Sequence, residues 1–256
     1  MTPPALVLES ISKQTLRGVW SPQRRNRRDV DVYLPASYAT SRRRYPVVYM
    51  HDGQNLSDPK TAFAGTWHLE SVLRTLAARG IELIVVGVHN VPDDRLIEYS
   101  PFADPKHDGG EAPRYLAFLI DTLKPRIDRL FRTAPRRTAT FGSSMGGLFS
   151  LFAALQRPDV FGLAGVMSPS LWFGQEQLFA FVERASVSRT KLYLDVGTAE
   201  GATALRDVRA LRSLLERKGL QRRESLLYVE DRGGRHDEAS WSRRVGKALE
   251  WLMANG

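Results

Sequence analysis

The chain contains no cysteine among its 256 residues, which excludes disulfide scaffolds, thiolate metal sites and a cysteine nucleophile. It has no apolar run long enough to span a bilayer, and residues 1–9 lack the basic stretch and long apolar core of a secretory leader. A cytoplasmic location is therefore expected. No Pro/Gly/Ser-rich linker, charge block or internal repeat interrupts the sequence, so 1–256 is read as a single domain. Acidic residues are the scarcer charge, 28 against 37 basic ones, for a net charge of +9. The arginines lie scattered beside turn-like segments (24–25, 27–28, 42–44 and 136–137) without a helix-turn-helix, zinc finger or basic heptad helix. That pattern argues for a solvated arginine-rich surface, with no nucleic-acid or membrane partner, and leaves an anionic substrate open.

What is present is an alternation of strand and helix signals. Residues 28–34 (RDVDVYL) alternate polar and apolar as a half-buried strand does, and Pro35 ends the run. Residues 45–50 (YPVVYM) and 81–88 (IELIVVGV) are short continuous apolar runs, which suit central parallel strands. Between them, 66–79 carries Trp67, Val72, Leu73, Leu76 and Ala77 at helical spacing, with Gly80 as the stop. The pattern continues with a helix over 113–131, strands over 138–142, 163–167, 191–196 and 225–230, and helices over 175–184, 202–218 and up to about residue 253. This order predicts an α/β fold, a mostly parallel central sheet flanked by helices on both faces. Right-handed crossovers place the strand C-termini along one edge, where ligands bind.

One pentapeptide sits at that edge. Gly142-Ser143-Ser144-Met145-Gly146 follows a Thr-Ala-Thr-Phe strand and opens an apolar helix, the strand–turn–helix context of a nucleophile elbow. A serine hydroxyl is a poor nucleophile at neutral pH, so Ser144 needs a base and a group that orients the base. His236, in the loop after the last strand, fits the chain order nucleophile, acid, base. His51, His68, His89 and His107 all precede the serine and are read as structural or surface residues. For the acid, the 192–200 segment offers Glu200 beyond the strand end and Asp195 within it; Glu200 is preferred because it faces the same edge as Ser144 and His236. Asp231 and Asp237 are read as solvated loop acids. Oxyanion donors are expected from the backbone NH of Met145 and, in the His-Asp-Gly-Gln-Asn loop after the 45–50 strand, from that of Gln54.

These residues resemble the putative-esterase (esterase D-like) family of the α/β-hydrolases, which includes enterochelin-type siderophore esterases and bacterial feruloyl and acetylxylan esterases. The resemblance runs from Val32-Tyr33-Leu34-Pro35 through His51–Leu56, 95–101 (RLIEYSP), 123–128 (LKPRID), the elbow and 168–172 (SPSLW) to the Gly233–His236 loop. It implies an α/β-hydrolase fold, a Ser144–His236–Glu200 triad, oxyanion amides at Gln54 and Met145, and no metal or organic cofactor. The implied activity is a serine carboxylic-ester hydrolase working through an acyl-enzyme on siderophore-lactone or small acyl or aryl esters. Alternatives are a carbohydrate (acetyl or feruloyl) esterase, an acyltransferase with the same triad, or a catalytically silent binding protein on this fold. Arg95, Tyr99 and Trp172 fall in loops at the ligand edge and are candidate substrate contacts; an Arg95–Glu98 ion pair is the structural reading for the first. Few residues separate the strand ending at Met167 from the one starting near Lys191, so a minimal lid and an open cleft are expected.

Overall fold

The computed structural model describes residues 10–104 and 106–254. The leader-free reading of residues 1–9 lies outside them. An eight-stranded sheet runs in the order β1-β2-β4-β3-β7-β8-β9-β10. Its first two strands, β1 (Ser12–Ser21) and β2 (Asn26–Leu34), form an antiparallel hairpin, and β2 pairs antiparallel with β4 (Ile84–Val88). From β4 onward the pairs are parallel: β3 (Tyr45–His51), β7 (Thr133–Ser143), β8 (Leu163–Met167), β9 (Lys191–Gly197) and β10 (Leu226–Asp231). Strands β3, β4 and β8 carry the continuous apolar runs because helices cover both of their faces. A short hairpin of β5 (Ala103–Asp104) and β6 (Asp108–Gly109) stands apart from this sheet.

The helices are α1 (Leu69–Ala78), α2 (Arg95–Tyr99), α3 (Ala112–Ala117), α4 (Lys124–Leu130), α5 (Met145–Gln156), α6 (Gln175–Arg184), α7 (Ala202–Arg217) and α8 (Glu238–Met253). Two apolar clusters divide them. Trp67, Leu73, Phe141, Trp241 and Leu249 join α1 and α8 to one face of the sheet. Tyr115, Phe149, Leu178 and Leu211 join α3, α5, α6 and α7 to the other. The helix expected over 113–131 is a composite, α3 and α4 joined by a π-helical turn at Phe118–Leu123. Pro125 supplies no NH and its ring crowds the carbonyl four residues back, so the hydrogen-bond register widens there. Strand β1 escaped the sequence reading because its outer residues are mostly polar and exposed; pairing with β2 defines it.

The expected Arg95–Glu98 ion pair does not form. Both residues sit on the single turn of α2, and each is claimed by a different element. Glu98 points beneath the sheet edge and takes both Nη atoms of Arg28 from β2 at 2.7 Å, with neither side chain exposed. The Arg28 guanidinium also lies over the rings of Tyr115 and Phe118, at 5.0 and 5.2 Å from their centroids. Arg95 turns instead to Asp52 (Nε–Oδ1 2.7 Å, Nη2–Oδ2 2.8 Å). Removing one partner of a fully buried pair strands the other charge. Glu98→Ala is therefore expected to lower unfolding free energy by about 3–5 kcal/mol in urea titrations; a change below about 1 kcal/mol would show that water or another acid replaces the glutamate.

Candidate active site

Strand β7 gives way to α5 through one residue, Ser144, whose φ of 57° and ψ of −124° lie outside the ordinary regions for an L-residue. Close packing makes the turn possible: a Cβ on Gly142 would stand 2.6 Å from the Gly146 carbonyl carbon. The serine's backbone is fixed on both sides. Its NH donates to the Met167 carbonyl at 3.0 Å, and its carbonyl accepts from the Ser170 NH at 3.1 Å, both from the exit of β8. Helix α5 is apolar around its whole circumference and buried from Met145 to Leu155, which anchors the elbow in the core.

The structure brings Ser144, His236 and Glu200 into one chain of hydrogen bonds. His236 Nε2 lies 2.9 Å from Ser144 Oγ, and its Nδ1 lies 2.8 Å from Glu200 Oε2. Ser170 Oγ is a second neighbour of the Ser144 hydroxyl at 3.1 Å. His236 occupies the loop between β10 and α8, with its ring edge-on to Trp241 at 5.0 Å. The loop is braced by Asp237, which caps α8 by accepting from the Ser240 NH at 2.8 Å, so Asp237 is a helix cap rather than a free loop acid. Asp231 likewise has a partner, Arg244 Nη1 at 3.3 Å. Burial alone would raise the pKa of Glu200. Hydrogen bonds from His236, Ser168 and the Gly197 amide outweigh it and hold the carboxyl below the usual glutamate value.

Asp195, the alternative acid, faces elsewhere. It is fully buried in β9, where it accepts from Ser168 N (3.0 Å) and Tyr193 Oη (2.9 Å) and pairs with Arg244 Nε (3.1 Å). Burial pushes its pKa up to about 6 despite the guanidinium.

The loop after β3 forms the opposite wall. Asp52 adopts a left-handed conformation (φ 56°, ψ 47°) and starts a short 3₁₀ turn through Gly53, Gln54 and Asn55. The backbone amides of Gln54 and Met145 have no protein acceptor among the described residues. Arg95 and Asn90 grip the Asp52 carboxylate, and the Tyr99 hydroxyl accepts from its NH at 3.2 Å. His51 beneath it is held neutral, its pKa pushed down to about 3 by burial, and it bridges Thr140 (2.9 Å) and Tyr115 (3.2 Å). It is structural, as its sequence position implied.

Between these walls lies a cleft of about 730 Å³ lined by Ser144, His236, Gln54, Asn90, Arg95, Phe63, Pro92, Trp241 and Glu238, among others. Arg95 lines this cleft. Tyr99 is not: it is fully buried among His51, Tyr115 and Phe149, and its hydroxyl is spent on the Asp52 amide, so it supports the loop from behind. Trp172, 55% exposed, stands against His107 and Phe173 and not on this cleft wall. Sequence reasoning missed Phe63, Trp241 and Glu238. The last two occupy positions i and i+3 on the first turn of α8, a spacing visible in the sequence, but nothing there says that this face meets the cleft.

Glu238 accepts from Asn55 Nδ2 at 2.9 Å, while burial and the nearby Asp52 charge raise its pKa to about 7. A carboxyl whose folded pKa is raised favours the protonated native state, so its contribution to stability falls as pH rises from the ordinary glutamate value of 4.5 to about 7. Unfolding titrations of the wild type minus those of Glu238→Gln are expected to decline across that window by on the order of 2 kcal/mol and to flatten above it. A pH-independent difference would place the carboxyl in an ordinary solvated environment.

Comparison with known proteins identifies the group to which this architecture belongs. The profile of the family described as Putative esterase matches residues 21–252. Uncharacterized protein YbbA of Bacillus subtilis is 27% identical over 252 residues, covering 93% of this chain and 97% of that protein. The siderophore enterobactin esterase of Emericella nidulans is 31% identical over 99 residues, 38% of this chain and 31% of that protein. Among solved structures, the BES protein from Bacillus cereus superposes with a TM-score of 0.76 at 20% identity, covering 98% and 97% of the two chains, a likeness of fold. The chain belongs to the Putative esterase family and is an esterase built on the α/β-hydrolase fold.

Proposed function

We propose that the chain hydrolyses carboxylic esters through an acyl-enzyme on Ser144. The observation that carries this reading is the continuous Ser144 Oγ–His236 Nε2 and His236 Nδ1–Glu200 Oε2 contact, at 2.9 and 2.8 Å. His236 takes the serine proton as Oγ attacks the ester carbonyl, and Glu200 holds the ring so that Nε2 faces the nucleophile and stabilises the imidazolium. In this reading the Gln54 and Met145 NH groups donate to the developing oxyanion. The imidazolium then protonates the leaving alcohol, and a water activated by the same His236 releases the acid.

The substrate proposed is a small-molecule ester of the siderophore-lactone or aryl-ester class. Phe63 and Trp241 offer aromatic walls to a ring, while Arg95 and Asn90 offer polar contacts to its substituents. The sequence match to an esterase described as acting on enterobactin supports the same class.

With p-nitrophenyl acetate, Ser144→Ala and His236→Ala are expected to lose at least about 10³-fold in kcat. Glu200→Ala should lose about 10²- to 10⁴-fold. Equal activity in wild type and Ser144→Ala would exclude the serine mechanism. Comparing kcat/KM on a catecholate trilactone, a feruloyl ester and an acetylated sugar then ranks the substrate classes. Turnover of the acetylated sugar alone would overturn the aryl-ester assignment.

A further inference from the structure

Ser168, the residue after β8, sits in a conformation that a serine rarely adopts, with φ of 40° and a side chain almost wholly buried. Asp195 keeps it there. The Ser168 amide donates to both the carbonyl oxygen of Asp195 (3.1 Å) and its carboxylate Oδ1 (3.0 Å). The hydroxyl is then fully engaged. It accepts from Trp241 Nε1 at 3.0 Å and from Arg244 Nη2 at 2.9 Å, and it lies 2.6 Å from Glu200 Oε1. A hydroxyl has two acceptor lone pairs and one proton. With both lone pairs filled by N–H donors, its proton has one destination, the Glu200 carboxylate.

Glu200 Oε1 receives a second donor from the Gly197 amide at 2.6 Å, which leaves Oε2 for His236. Arg244 completes the cluster from α8. Its guanidinium lies among three carboxylates: Asp195 (3.1 Å), Asp231 (3.3 Å) and, more distantly, Glu200 (3.9 Å). The groups facing Glu200 are thus His236, Ser168, Gly197 and Arg244, with Asp195 one contact further away.

We propose that Ser168 is a positioning residue of the reaction: clamped by Asp195 and Arg244, it donates its proton to Glu200 Oε1 and turns Oε2 toward His236. Asp195 thereby contributes to catalysis at one remove, through the serine, without touching the base. This proposal rests on the triad reading above. It adds the part that makes Glu200 hold a single orientation, and it assigns the buried Asp195–Arg244 pair a purpose that the triad alone leaves unused.

The left-handed φ permits a test that separates positioning from stability. Ser168→Gly removes the hydroxyl while supplying the residue type that this backbone favours, whereas Ser168→Ala removes it and keeps the strain. Both variants are expected to lose about 10- to 100-fold in kcat, the worth of one charge-assisted hydrogen bond, with KM held within about twofold. Their melting temperatures should differ, with the alanine variant lower. In a Glu200→Ala background, Ser168→Gly should change kcat by less than about twofold, because the group it acts on is gone. A wild-type kcat in Ser168→Gly, with or without a lowered melting temperature, overturns the proposal. So does a full additional loss in the Glu200→Ala background. A wild-type rate in Glu200→Ala alone is a separate result: it rejects Glu200 as the triad acid and the positioning role with it.

Discussion

The left-handed backbone at Ser144 is the constraint from which the other parts of the site take their positions. A residue held in a sparsely populated conformation costs about 1–3 kcal/mol and persists only where its surroundings over-determine it. Here the surroundings are the bare face of Gly142 against the Gly146 backbone, helix α5 buried from Met145 to Leu155, and two backbone hydrogen bonds to the exit of β8. Those last bonds have a second effect. By tying Ser144 to Met167 and Ser170, they fix the segment that carries Ser168, so Ser144 and the hydroxyl that lies 2.6 Å from Glu200 share one anchor.

Charge is organised around this anchor in a way that composition conceals. A net charge of +9 with scattered arginines suggests a solvated basic surface, and many arginines are indeed exposed. Several of the chemically informative ones are interior counter-ions. Arg28 is buried against Glu98, Arg244 is buried among three carboxylates, and Arg95 closes on Asp52 at the cleft wall. A guanidinium suits these positions because it stays charged and presents several donors in one plane, so it can bind a carboxylate by two bonds or serve several acids together. The pairs link elements distant in sequence: β2 to α2, the loop after β3 to α2, and β9 to α8.

This explains which parts of the molecule could be read from the sequence. Strands β3, β4 and β8 announce themselves because burial on both faces leaves a continuous apolar run, and the elbow does so because few residue types tolerate its turn. Ser144, Glu200 and His236 could be ordered from chain position once the strand order was inferred. Partner choice could not. Nothing in Arg95-Leu96-Ile97-Glu98-Tyr99 says that Arg95 leaves α2 for Asp52, that Glu98 descends to Arg28, or that Tyr99 is enclosed by His51, Tyr115 and Phe149. Each of those outcomes depends on what the sheet brings against α2. The same holds for Phe63 and Trp241, which are cleft residues only because the loop after β3 and the start of α8 converge.

The choice between two nearby carboxylates follows from where the backbone lets them emerge. Asp195 is inside β9, with no exposed surface, and burial pushes its pKa up to about 6; a group there can bind donors but cannot reach the His236 loop. Two residues later the strand ends at Gly197, and a Cβ at that position would collide with the Gly234 carbonyl. The absence of a side chain lets the 197–200 turn and the His236 loop pack backbone to backbone, and the Ala199 amide donates to the Gly234 carbonyl at 2.9 Å. Glu200 therefore emerges within hydrogen-bond reach of the imidazole, where its donors hold its pKa below the usual value. The environments push the two acids apart: burial raises the pKa of Asp195, which is committed to Arg244, Tyr193 and the Ser168 amide, whereas the donors around Glu200 lower its pKa and leave Oε2 beside the imidazole. His236 thus meets the carboxylate whose surroundings favour its ionised form.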